Sequence, residues 1–130
     1  MAASIKKYIV DASFVLSFLL PDEDHSAVDH FFNQYKAGII DLLSTTLLPF
    51  EVLNGLKLAV IRKRINTKYA KERMKEFFNY QIRLAGVDFF EVFDLVQKHS
   101  LTVYDASYFY LSRVKKTQLL TSDEALHKLA

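Results

Sequence analysis

Ile5 to Val10 is an apolar, β-branched and aromatic run that reads as a strand buried on both faces, and Phe14 to Leu20 reads as a short apolar helix stopped by Pro21. Asp11 falls at the junction between them. The acids Asp22 to Asp24 supply an N-cap for the next helix, in which Ala27, Val28, Phe31, Phe32 and Tyr35 recur at helical spacing until Gly38 ends the pattern. Ile39 to Ser44 predicts a second strand. Pro49 suits the first turn of a helix whose stripe is Val52, Leu53, Leu56, Ala59 and Val60, and the Arg62-Lys63-Arg64 end places cations where the helix dipole favours them. Thr67 caps a further helix bearing Tyr69, Met74, Phe77, Phe78 and Ile82, closed by Gly86, so that these two helices form a hairpin arm.

Beyond the arm, Val87 to Val92 predicts a third strand, Phe93 to His99 a short helix, and Tyr104 to Lys116 a longer helix rich in Tyr and Phe. Gln118 to Thr121 predicts a fourth strand and Glu124 to Leu129 a last helix. Short, nearly continuous apolar strands alternating with helices indicate an α/β fold, with a mostly parallel sheet covered on both faces. No repeat, linker or low-complexity tract interrupts the pattern, which predicts a single domain over residues 1–130.

Composition narrows the chemistry. A hydrophobic content of 51% with 7 Tyr and 11 Phe is enough for a core and excludes a disordered chain. The absence of Cys removes disulfide scaffolds, thiol nucleophiles, iron–sulfur clusters and Cys-based zinc sites, so any metal must be held by oxygen or His. With only Gly38, Gly55 and Gly86, neither a G-x-G-x-x-G turn nor a P-loop can be assembled. Lys6 and Lys7 before an apolar stretch imitate a signal peptide, but Asp11 interrupts that stretch, and no run approaches the roughly 18 apolar residues a spanning helix needs. The expectation is a cytoplasmic protein with no membrane association.

The formal charge of +2 conceals segregation. Lys57, Arg62, Lys63, Arg64, Lys68, Lys71, Arg73 and Lys75 share one short span with the single acid Glu72, a local surplus of seven, and the rest of the chain is correspondingly negative by five. Such a span is either a solvated helical face or a platform for a polyanion.

Four acids stand apart from the polar helix faces. Asp11 terminates the first predicted strand and Asp123 follows the fourth, so both point to the carboxyl edge of the sheet, where open α/β folds bind their ligands. Glu51 and Asp105 fall in the first turns of helices that start at the same edge. Each has a local explanation as well. Glu51 and Asp105 suit helix dipoles and Asp123 can cap the last helix, whereas Asp11 as an idle turn residue in apolar surroundings is costly. Four carboxylates in one crevice repel one another unless cations neutralise them, and Mg2+ or Mn2+, which take oxygen ligands and bridge to phosphate, are the natural counterions.

The segments VDAS (Val10 to Ser13), PFEVLNGL (Pro49 to Leu56), LTVYDASYFYLS (Leu101 to Ser112) and LLTSDEAL (Leu119 to Leu126) resemble, in order, the four motif blocks of PIN-domain ribonucleases, and most closely those of the VapC-type toxins of toxin-antitoxin pairs. The resemblance implies a PIN-like three-layer α/β/α sandwich with a central, mostly parallel sheet of four to five strands and a helical hairpin arm. It implies one or two Mg2+ or Mn2+ ions held by Asp11, Glu51, Asp105 and Asp123, with Ser13 and Thr121 supporting those ligands and Asn54 completing an E-x-x-N pattern with Glu51. It further implies metal-activated water cleaving RNA to leave a 5′-phosphate, a homodimer, and a cognate antitoxin whose C-terminal segment covers the crevice.

The Arg62, Lys63, Arg64 and Lys68 region is then the expected RNA platform, with Tyr104, Tyr108 and Phe109 as candidate stacking surfaces and Phe109 also expected in the core. His25, His30, His99 and His127 are assigned no role. The competing reading is a PIN-fold RNA-binding or protein-interaction module without cleavage. A phosphatase is disfavoured by the lack of a D-x-D pair on the first strand, and a receiver-like domain by the lack of a suitably placed Lys after the fourth.

Overall fold

A computed structural model describes residues 5–129; residues 1–4 and 130, which the single-domain expectation also covers, lie outside the described residues. Strand β1 (Lys6–Val10) is exposed at Lys6 and Lys7 and buried from Tyr8 on, with Ile9 and Val10 wholly enclosed. It leads directly into α1 (Ala12–Leu19), and α2 (Ser26–Lys36) then returns the chain to β2 (Ile40–Thr45). Helices α3 (Leu48–Ile61) and α4 (Thr67–Asn79) form the expected hairpin, turned by Lys63 at φ 58°. There follow β3 (Arg83–Ala85), α5 (Phe89–Lys98), α6 (Val103–Lys115), β4 (Leu119–Leu120) and α7 (Glu124–Leu129).

The four strands are all parallel, in the order β3-β2-β1-β4. The chain winds outward from β1 to β3 and then jumps back to the other side of β1. Because parallel crossovers are right-handed, that reversal sends α5 and α6 to the face opposite α1–α4 and makes the three layers. Helix α6 rests on β1 and β2 and carries α5 and α7, while α2 rests on β2 on the other side. Phe32, stacked on Phe18 at 4.1 Å between centroids and edge-on to Tyr80, anchors the α1–α2 layer. Burying such a ring contributes about 2–3 kcal/mol. Among the described residues no helix is long and apolar enough to cross a membrane.

The third strand corrects the sequence expectation. Val87 to Val92 is not a strand; Asp88 accepts hydrogen bonds from the backbone N–H groups of Phe90 (3.0 Å) and Glu91 (3.2 Å), which starts α5 inside that apolar run. Its aromatics Phe89, Phe90 and Phe93 face outward and Val92 faces in, a helical pattern that the dense run of apolar residues hides. The strand lies earlier, where Arg83, Leu84 and Ala85 pair with Leu43, Ser44 and Thr45. An edge strand tolerates a charged Arg83 and an exposed Leu84. Helix α4 correspondingly stops at Asn79 rather than running on to Ile82, because Gln81 takes up a left-handed conformation at φ 51°. Its cap is Asn66, whose Oδ1 accepts from Tyr69 N at 2.8 Å, and Thr67 is the first helical residue.

Candidate active site

The parallel pairing of Ile9 with Leu119 and Val10 with Leu120 makes β1 and β4 end side by side, so Asp11 and Thr121 leave the sheet together at the point where the strand order reverses. Asp11 is the N-cap of α1: its Oδ1 accepts from Phe14 N at 2.9 Å. Ser13 Oγ donates to the same oxygen at 2.7 Å, and Thr121 Oγ1 donates to Oδ2. Asp11 as a residue is 3% exposed. Ser122 N donates to Ser13 Oγ at 2.9 Å, Asp123 N donates to Thr121 Oγ1 at 3.0 Å, and the Ser17 and Ser122 hydroxyls meet at 2.9 Å. This web ties the start of α1 to the β4–α7 loop.

Glu51 enters from the first turn of α3. One turn later, a Cβ at Gly55 would lie 2.3 Å from Leu16 Cδ1, so the glycine lets α1 approach α3 closely and brings Glu51 to the end of the sheet where Asp11 sits. Tyr108 donates its hydroxyl to Glu51 Oε1 at 2.6 Å. Asp105 occupies the first turn of α6, its N–H donated to Thr102 Oγ1 at 3.1 Å. Asp123 Oδ1 accepts from Leu126 N at 2.9 Å and caps α7. Asn54 is exposed on α3 and makes no hydrogen bond to Glu51.

Burial pushes the Asp11 carboxyl above the ordinary carboxylate range; the bonds from Thr121, Phe14 and Ser13 pull it back, and nearby Asp105 raises it further. Glu51 is raised by burial, with Tyr108 opposing and Asp105 and Asp11 adding to the rise. Asp105 is raised by burial and then by Asp123. The four acids are thus linked electrostatically, and no base contributes to the shift of any of these three.

Among the described residues, no three Asp, Glu or His side chains converge closely enough to enclose an ion as they stand. The donor set nonetheless fits Mg2+ or Mn2+. It is all oxygen, carries unneutralised negative charge, and Mg2+ keeps most of its waters and takes only one or two carboxylates plus substrate phosphate, so it does not need a protein cage. Asp11, Glu51, Asp105 and Asp123 are the side chains that could hold it.

The PIN domain family model matches residues 8–130. The chain belongs to the PIN domain family. It is 29% identical over 124 residues to Ribonuclease VapC3 of Pyrobaculum aerophilum, covering 92% of each chain. Its fold matches the crystal structure of PAE2754 from Pyrobaculum aerophilum at a TM-score of 0.74 and 24% identity, over 93% of this chain and 77% of that one. It also matches VapC20 of Mycobacterium tuberculosis, described as a sarcin-ricin loop cleaving toxin, at a TM-score of 0.68 and 14% identity, over 95% of both chains.

Within this PIN domain the predicted RNA platform is less uniform than its sequence. Arg62, Lys63 and Lys68 are exposed and make no ion pair with a described residue. Arg64 instead forms a two-pronged pair with Asp22, Nε to Oδ2 and Nη2 to Oδ1 both at 2.7 Å, and reaches Glu23 at 3.3 Å. It fastens the α1–α2 loop to the hairpin turn. Of the candidate stacking residues only Tyr104 is exposed; Phe109 is buried as expected, and Tyr108 is enclosed with its hydroxyl on Glu51. Ser17, Ser122 and the Tyr108 hydroxyl are the site residues that sequence reasoning missed. No pattern marks a lone Ser, and the YDASY block drew attention to Tyr108 only as an aromatic.

Proposed function

We propose that this PIN-domain protein is a Mg2+- or Mn2+-dependent endoribonuclease that hydrolyses RNA phosphodiester bonds, and that it is the toxin of a toxin-antitoxin pair. The observation that carries the reading is the group of Asp11, Glu51 and Asp105 at the switch point of the sheet, each pushed up by burial and by at least one neighbouring acid, Asp123 in the case of Asp105, without a neutralising base. Likeness to Ribonuclease VapC3 over nearly the whole chain supports the choice of substrate.

Asp11 and Asp105 serve as primary ligands, Asp123 completes the set directly or through water, and Glu51 holds a second ion or orients the attacking water. When bound, a divalent cation lowers the pKa of water and neutralises charge developing on the phosphate. Ser13 and Thr121 fix the Asp11 carboxylate in one orientation, and Asn54, one turn from Glu51, borders the same helix face. Arg62, Lys63 and Lys68 contact phosphates along the arm, and exposed Tyr104 stacks on an unpaired base. A second copy of the chain and an antitoxin segment laid across the crevice complete the assembly, in the cytoplasm. The test is cleavage of a panel of structured RNAs with Mg2+, Mn2+ or EDTA, comparing the wild type with Asp11→Asn. Cleavage that survives both EDTA and the substitution rejects the metal-dependent reading.

A further inference from the structure

Among the described residues Tyr108 is the largest side chain with under 2% exposure, so its hydroxyl must find a partner inside the fold. The inexpensive partner is a backbone carbonyl, and Tyr35 uses one, donating to Tyr80 O at 2.8 Å. Tyr108 instead crosses from α6 to α3 and donates to Glu51 Oε1 at 2.6 Å, the short distance of a charge-assisted bond. Oε2 of Glu51 receives no hydrogen bond from a described residue.

Asp105 and Tyr108 are three residues apart and so share one face of α6. The helix that contributes one carboxylate to the crevice also grips a second from a different helix. A half-buried Glu on a helix would otherwise sample several rotamers, and ordering it has an entropic cost. The tyrosine ring, clamped in the core, supplies a rigid anchor instead.

We propose that Tyr108 is a positioning residue that occupies one oxygen of Glu51 and leaves the other directed to the ion or water in the crevice. The proposal rests on the metal-dependent reading of the site given above.

Its test uses the full chain as wild type, Tyr108→Phe, Glu51→Gln and the double variant. Mn2+ affinity is measured on the protein alone by calorimetry, and kcat and KM on a structured RNA. Tyr108→Phe keeps the ring and removes only the donor. It is expected to fold, to lose affinity for Mn2+ about tenfold or more, and to lower kcat with KM unchanged, the size typical of groups that orient metal ligands. The double variant should be no worse than Glu51→Gln alone. Should Tyr108→Phe fail to fold, Glu51→Asp, which keeps the carboxylate but withdraws it from the hydroxyl, is read in its place and should show the same losses. Wild-type Mn2+ affinity and kcat in Tyr108→Phe, or losses that add fully to those of Glu51→Gln, overturn the proposal, as does a wild type that binds no Mn2+. A wild type that binds Mn2+ but cuts no RNA ends the ribonuclease reading, while the affinity comparison still decides the role of Tyr108.

Discussion

Thr121→Val tests whether the hydroxyl web around Asp11 holds a charged carboxylate. Val preserves the shape of the side chain and deletes the one hydroxyl that donates to Asp11 Oδ2, while Oδ1 keeps both Ser13 Oγ and Phe14 N. A hydrogen bond to a buried charged group is worth about 1.5–3 kcal/mol. Unfolding entropy of about 2.1 cal/mol/K per residue gives this 130-residue chain about 0.27 kcal/mol/K, so a loss of about 2 kcal/mol lowers Tm by about 7 °C.

The loss must depend on pH. Asp11 already titrates above the ordinary carboxylate range because of burial, and Thr121 is the strongest of the bonds pulling it down. Without that bond the carboxyl moves further up. The ionised form that uses the bond dominates only above the raised value, so the destabilisation is complete at pH 7.5 and shrinks as the pH falls toward about 4. Thermal unfolding in EDTA at the two pH values, followed by circular dichroism, measures it. Ser13→Ala is the control and should cost less, because Phe14 N still serves Oδ1. An equal loss at both pH values, or a drop below about 2 °C at pH 7.5, refutes the reasoning and means that water replaces the hydroxyl.

Three further outcomes are expected. Asp11, Glu51 and Asp105 are all raised, so in EDTA their contribution is present at low pH and is lost as the pH rises through their folded values. Asp11→Asn should therefore melt higher than the wild type at pH 7.5, with the gap closing toward pH 4, and Mn2+ should raise the wild-type Tm more at pH 7.5 than at pH 5. Arg62→Ala, Lys63→Ala and Lys68→Ala combined should weaken RNA binding and flatten its salt dependence, by about one unit of slope or slightly less for each phosphate-binding cation removed, whereas Arg64→Ala should mainly loosen the α1–α2 loop, seen as faster amide exchange over Asp22 to Asp24. Asp88→Ala removes the cap of α5 and should cost about 1 kcal/mol in denaturant unfolding with cleavage unchanged.

The sheet and the edge that bears the site were legible because buried parallel strands are continuous apolar runs and the chain ends two of them on Asp11 and on Thr121 to Asp123. The third strand was not. Arg83 to Ala85 is too short to stand out as a strand and forms an exposed edge whose pairing partner is set by tertiary contact, and the neighbouring run of Val and Phe that imitates a strand is turned into α5 by one capping Asp. The four acids could be picked out by their positions after strands and in first turns. The direction of the Tyr108 hydroxyl and the capture of Arg64 by Asp22 could not, because both are contacts between residues 57 and 42 positions apart.

The two accounts of each acid, helix cap or metal ligand, are not alternatives in this fold. A parallel sheet delivers the N-terminus of each following helix to the same edge, and Asp11, Glu51, Asp105 and Asp123 sit at the caps or first turns of α1, α3, α6 and α7 respectively. Four positive dipole ends converge there, each stabilising a carboxylate by about 0.3–1 kcal/mol. That attraction offsets part of the mutual repulsion among the carboxylates. The cost of placing them there is not removed, because Asp11, Glu51 and Asp105 stay above their ordinary range, raised first by burial and then by a neighbouring acid. On the metal-dependent reading proposed above, a divalent cation would recover part of that cost on binding.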